Sequence, residues 1–99
     1  MSEQISRASF AEQVKTKFRA QLGGQAVGDF ALTEVKEFAT SAQVEQFSLF
    51  FLGPPGAPLR QGLYQLTHEQ LGALEIFLVP IGQDPAGVQY EAVFNRILK

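Results

Sequence analysis

Cysteine and tryptophan are absent from this 99-residue chain, and histidine occurs once. Without cysteine there is no disulfide, no thiolate nucleophile and no Cys-based zinc or iron–sulfur site, although the lack does not choose a compartment. Charge is also scarce: 18% of residues are Asp, Glu, Lys or Arg, the formal net charge is -2, and Lys and Arg form no cluster. The basic footprint that nucleic acid or an anionic membrane requires is therefore missing, so neither is expected as a partner. No window approaches the roughly eighteen apolar residues of a membrane span, and the polar N-terminus "MSEQISRASF" has no signal-peptide core. The expectation is a cytoplasmic protein.

Hydrophobic residues make up 45% of the chain, enough for one domain over residues 1–99 that buries roughly two thirds of its unfolded surface. Residues 1–8 are expected to be flexible. The low charge leaves fewer surface ions to hold molecules apart, which favours self-association. Ser9-Phe10-Ala11-Glu12 fits the S-x-x-E capping box and predicts a short helix from Ser9 to about Lys15. Phe10, Val14, Phe18 and Leu22 recur every four residues, so a single helix to Leu22 is the alternative. Because Phe18, Ala20 and Leu22 also alternate, we read a strand there.

"GGQAVGD" reads as a hairpin connection, after which Phe30 and Leu32 alternate and the apolar series slips by one to Val35, as at a bulge. "TSAQVEQ" reads as a loop, "FSLFFL" (47–52) as a strand, and "GPPGAP" as a Pro-stiffened connection that can join no ladder. "GLYQLT", "ALEIFLVPI" and "VQYEAVFNRI" follow as strands, separated by the turn compositions "HEQLG" and "GQDPAG". The fold class expected is mainly β: a compact antiparallel six-stranded barrel or sandwich with one short N-terminal helix. No internal repeat is visible.

Two strands are apolar on both sides. Phe47, Leu49 and Phe51 share one side, and Phe50 and Leu52 share the other with Ser48; Leu74, Ile76 and Leu78 oppose Phe77, Val79 and Ile81. A hairpin at "HEQLG" sets Tyr64 and Leu66 opposite Ile76 and Leu74, and the next hairpin is expected to bring Val88, Tyr90, Ala92 and Phe94 beside Ile81, Val79 and Phe77. A barrel interior accounts for one apolar side. The helix, through Phe10, Val14 and Ala11, is expected to cover part of the other, and a second copy or another protein the rest.

Few residues offer chemistry. His68 sits where a hairpin turns, and imidazole there is expected to bond backbone carbonyls or stack on Tyr64; a triad needs a serine or second carboxylate converging on it, which spacing does not supply. Glu75 and Glu91 are expected on opposite sheet faces, too separate for paired acid–base work. "GQDPAG" lacks the acidic repeats of a calcium loop, and no G-K-[ST] follows Gly23-Gly24 as in a phosphate loop. No catalytic residue, metal or cofactor is expected. The partner-binding candidates are Leu59, Arg60 and Gln61 in the Pro-rich loop, with Phe50 and Leu52 on the second face of their strand.

"FSLFFLGP", "LRQGLYQLTHEQLG" and "LEIFLVPIGQDPAGVQYEAVFNR" together resemble an uncharacterised bacterial family of domains about a hundred residues long. In that family FSL-x-F-x-GP precedes QG-x-Y-x-L-x-H, and LVP-x-G leads to YEAVFN. The similarity covers most of residues 9–96. Lys15 stands where a helix-ending glycine is common, and Glu69 where proline often follows the histidine. The resemblance implies a β-rich bacterial domain with no assigned activity and little else; relatives encoded near phage-tail-like or collar-type fibre proteins fit an accessory role in assembly. The function expected is a non-enzymatic protein-interaction or assembly module, with itself or another protein as partner and a homo-oligomer as one form; the alternative is a small-ligand-binding barrel with an aromatic interior including Phe47, Phe77, Tyr90 and Phe94.

Overall fold

A computed structural model describes residues 7–40 and 44–97. One short helix, α1 (Arg7–Ala11), precedes six strands: β1 (Lys17–Leu22), β2 (Gln25–Thr40), β3 (Val44–Gly53), β4 (Gly62–His68), β5 (Gly72–Asp84) and β6 (Gly87–Ile97). The strands close into an antiparallel barrel in the order β1-β2-β3-β6-β5-β4. The predicted fold class holds, in its barrel form. The ring consists of two three-stranded meanders, β1-β2-β3 and β4-β5-β6, joined along β3–β6 and β1–β4, and exchanging the two meanders leaves the pairing order unchanged.

The helix begins two residues before Ser9, so Ser9 lies inside it and the predicted capping box does not form at its start. Arg7 and Ala8, expected to be flexible, form its first positions, and residues 1–6 lie outside the described part. The chain leaves the helix through turns at 12–15, and Lys15 takes φ 77, the left-handed conformation in which a glycine commonly ends a helix. Its amide donates to Leu32 O at 2.7 Å, and Leu32 N returns a bond to Thr16 O at 3.0 Å, delivering the chain to the barrel wall. The strand at 17–22 overrides the four-residue spacing because Phe18 and Ala20 both reach the interior.

Several boundaries move. The β1–β2 hairpin turns on Gly23-Gly24 alone, so most of "GGQAVGD" is already strand. Val44–Gln46, expected in a loop, begin β3, while residues 41–43 of that expected loop lie outside the described part. The predicted bulge appears at Thr33, where the register shifts between Leu32 and Glu34. The β4–β5 register is as predicted, with Tyr64 opposite Ile76 and Leu66 opposite Leu74.

The β5–β6 register is not. A second bulge at Ile81 places Pro80 opposite Tyr90, Val79 opposite Glu91 and Gln83 opposite Val88. Val88, Tyr90 and Ala92 therefore turn inward with Ile76 and Leu78, away from Phe77 and Ile81. An extra residue in one strand reverses side-chain parity beyond it, and here both parities of β5 are apolar, so the sequence pattern does not reveal the slip.

Side chains fill the barrel. Phe18, Phe30, Phe47, Leu49, Tyr64, Leu66, Leu78 and Tyr90 are fully buried. Phe30 stacks on Tyr90 at 4.7 Å between ring centroids, and Phe18 meets Phe51 edge-on at 5.3 Å. Each such ring contributes about 1.5–3 kcal/mol by leaving water. The helix plugs one end of the ring: Phe10 packs on Phe47 and Phe94, at 6.3 and 5.9 Å. Both are inward-facing rings, so α1 extends the core and does not cover the outer apolar side as predicted. Ala11 is exposed. The outer side stays uncovered, with Phe77 and Ile81 each 52% exposed.

Candidate functional site

His68 ends β4 on the inward side and is buried to 5% exposure. Its Nδ1 accepts the amides of Gln70 and Leu71, at 2.9 and 3.2 Å, which closes the 69–71 turn from within. A nitrogen that accepts two N–H groups carries no hydrogen, so the neutral ring is the Nε2–H tautomer. Nε2 then donates to Thr16 Oγ1 at 2.8 Å, and that hydroxyl donates to Gln13 O at 2.6 Å. The ring packs on Phe18 with centroids 4.4 Å apart. His68 is thus a turn residue whose bonds run to backbone amides, not carbonyls, and whose ring lies on Phe18, not Tyr64. No ring hydrogen is left for a carbonyl, because Nδ1 accepts both turn amides and the Nε2 hydrogen goes to Thr16 Oγ1.

The Thr16–His68 pair has the spacing of a hydroxyl beside a base, but its hydrogens run the wrong way for catalysis. The nitrogen facing the hydroxyl already bears a proton, and no carboxylate orients the other nitrogen. The pair instead secures the seam between β1 and β4, whose ladder has three residue pairs, Arg19 with Thr67, Ala20 with Leu66 and Gln21 with Gln65. Thr16, which sequence reasoning did not single out, extends this seam. Outside it lies an open cleft of about 320 Å³, lined by Lys17, Arg19, Asp29, Thr67, His68 and Glu69. Two cations and two anions there balance, and Arg19 faces Asp29 across the β1–β2 ladder.

Glu75 and Glu91 both point outward, contrary to prediction, because the Ile81 bulge reverses the parity that placed them on opposite faces. They still do not meet: Glu91 lies opposite Val79, four residues along β5 from Glu75. Glu91 accepts the fully buried Ser48 hydroxyl at 2.9 Å. Glu75 accepts Gln65 Nε2 at 3.4 Å. Among the described residues, no group of three His, Asp or Glu side chains has the arrangement of a metal site.

The Pro-rich loop, residues 54–61, runs between strands on opposite sides of the six-membered ring and so crosses its second mouth. Two buried tyrosines tie it down. Tyr64 donates to Arg60 O at 2.6 Å, and Tyr90 donates to Pro58 O. Ala57 closes the mouth at 8% exposure. Burial holds both phenols above their ordinary range, and for Tyr90 the neighbouring Tyr64 adds to it. Between these anchors Leu59 is 56% exposed, with Arg60 and Gln61 also facing solvent. The sequence marks the loop by its prolines; the inward tyrosines that fasten it are legible only as core.

The five predicted binding residues are not brought together. Phe50 and Leu52 lie half-buried on the outer side of β3, while Leu59, Arg60 and Gln61 lead into β4 across the ring. The loop residues adjoin a different apolar group, which sequence reasoning noted only in part: Leu63 of β4, 49% exposed, sits directly opposite Phe77 of β5. Leu63 could be found by parity, being apolar on the side opposite Tyr64 and Leu66.

The fold defines a class: a small closed antiparallel β-barrel with α1 at one end and the 54–61 loop across the other. The chain belongs to the family described as a domain of unknown function, DUF6916, whose model matches residues 5–94. No curated protein and no solved structure matches it. Among the described residues, no helix is long and apolar enough to cross a membrane.

Proposed function

We propose that this chain is a non-enzymatic protein-interaction module that works through the outer side of the β4–β5 hairpin and the loop leading into it. The observation that carries the reading is the Leu63–Phe77 pair, two large apolar side chains in register on one outer face, with Leu59 exposed in the adjoining loop. Fully burying a large apolar side chain of this kind against a partner contributes about 1.5–3 kcal/mol. His68 supports the non-enzymatic side of the reading, since both of its ring nitrogens are committed to the turn and the seam. An assembly beside a phage-tail-like or collar-type fibre, in the cytoplasm, is the setting we propose for it.

A barrel for an apolar ligand would need interior space, and Tyr64, Phe30 and Tyr90 stand within 4.7–5.8 Å of one another in that interior. The outer face is therefore favoured. A photo-crosslinking amino acid in place of Phe77, introduced in the cell of origin, tests the proposal. Adducts with protein, this chain included, are expected, and they should diminish when Leu59 and Arg60 are both alanine. Complete absence of protein adducts would overturn the reading.

A further inference from the structure

We propose, resting on the interaction reading above, that the partner at this face is a second copy of the chain, seated by a two-fold axis over Leu63 and Phe77 so that Arg60 of each protomer meets Glu75 of the other.

Strand addition, the simplest route to self-association of β proteins, is blocked where ladders run out. Beyond Ala31 the ladder between β1 and β2 ends, and that stretch of β2 carries Glu34, Lys36 and Glu37. Beyond Leu78 the β4–β5 ladder ends, and that stretch of β5 holds Pro80 and the Ile81 bulge. Contact must then be made by side chains on a face.

The charges around the apolar pair have the arrangement a two-fold contact demands. Arg60 precedes Leu63 by three residues on the β4 side, and Glu75 precedes Phe77 by two on β5. Because the strands are antiparallel, the two charges fall at opposite ends of the pair. Among the described residues Arg60 has no ion-pair partner, and Glu75 engages only the neutral Gln65 amide. An axis lying in the plane between the two faces, and running across the strands along the Leu63–Phe77 pair, exchanges these ends, so one operation stacks the apolar pairs and brings each Arg60 to the Glu75 end of the other protomer. Nothing about the surface of an unrelated partner would require this self-complementarity. A net charge of only -2 gives the two copies little to repel them.

Charge exchange followed by analytical ultracentrifugation tests the inference. Arg60→Glu and Glu75→Arg should each weaken the dimer about tenfold by setting like charges together, and the double exchange should return the affinity to within about threefold of the original. Both positions are exposed, and circular dichroism verifies that the fold is kept. Phe77→Glu should weaken the dimer by about a hundredfold or more. A wild-type chain that stays monomeric at about 0.5 mM, or a dimer whose affinity the single exchanges leave unchanged, overturns the inference. Crosslinking from position 77 separates this from failure of the wider reading: adducts only with a different protein overturn the second copy alone, and no protein adducts overturn both.

Discussion

At the scale of single residues, His68 replaces a segment of secondary structure. Its Nδ1 does for the 69–71 turn what an Asx or Ser side chain does elsewhere, accepting amides two and three residues on, while Nε2 reaches across to Thr16. His68→Ala removes three bonds and the contact with Phe18, and should lower stability by about 2–4 kcal/mol in urea titration. His68→Asn keeps an acceptor near Nδ1 and should lose less. The Glu69 amide takes no part in this geometry, since the two bonds fall on the amides of Gln70 and Leu71. Lys15 presents the opposite case, a side chain in a conformation it does not favour. Lys15→Gly relieves about 1–2 kcal/mol of strain against about 0.5–1 kcal/mol of added unfolded-chain entropy, so a modest gain in midpoint is expected. Lys15→Val should lower the midpoint. The sequence shows that His68 turns the chain, because a lone histidine heads a turn composition. Its partner Thr16 lies 52 residues away, and no local pattern carries that.

At the scale of elements, parity decides what can be read. The Thr33 bulge is legible because the apolar series of β2 changes phase between Leu32 and Val35. The Ile81 bulge is illegible because Phe77, Leu78, Val79, Pro80 and Ile81 are apolar without interruption, and the misplacement of Glu91 follows from it. The helix is read from Ser9-Phe10-Ala11-Glu12, although it starts at Arg7, and it is misjudged in its task. Phe10 belongs to the core, not to a cover over the outer face, since its contacts Phe47 and Phe94 both face inward. The strand ends are held by close backbone approach. Gly87 has φ 145, and a Cβ there would lie 1.9 Å from Gly53 O. Gly87→Ala should cost about 3 kcal/mol or more, or prevent folding, as read by thermal denaturation. Tyr90→Phe leaves the ring in place and frees the Pro58 carbonyl, for a loss of about 1–2 kcal/mol.

For the molecule as a whole, the two ladders that join the meanders differ in extent. β3 and β6 share ten residue pairs, and β1 and β4 share three. Amides of residues 19–21 and 65–67 should therefore exchange with deuterium faster than those at the centre of β3 and β6, and Thr16→Val should speed the first set further. Alkaline pH acts through the loop anchors. Tyr64 and Tyr90 are the only tyrosines, and burial raises both above 10. The unfolded chain therefore releases protons that the folded one retains, so the stability these phenols contribute is fully present below about pH 10 and is lost as pH rises beyond it. Absorbance at about 295 nm should stay flat past about pH 10, where phenols of an unfolded chain ionise, and rise only at higher pH, together with cooperative unfolding. The covalent link between the meanders is the eight-residue loop, residues 54–61, while their pairing is spread over both ladders. Cutting the backbone between Pro55 and Gly56 would turn the domain into complementary fragments, residues 1–55 and 56–99, that find each other unaided and rebuild the ring, which makes this small barrel a natural candidate for a split reporter.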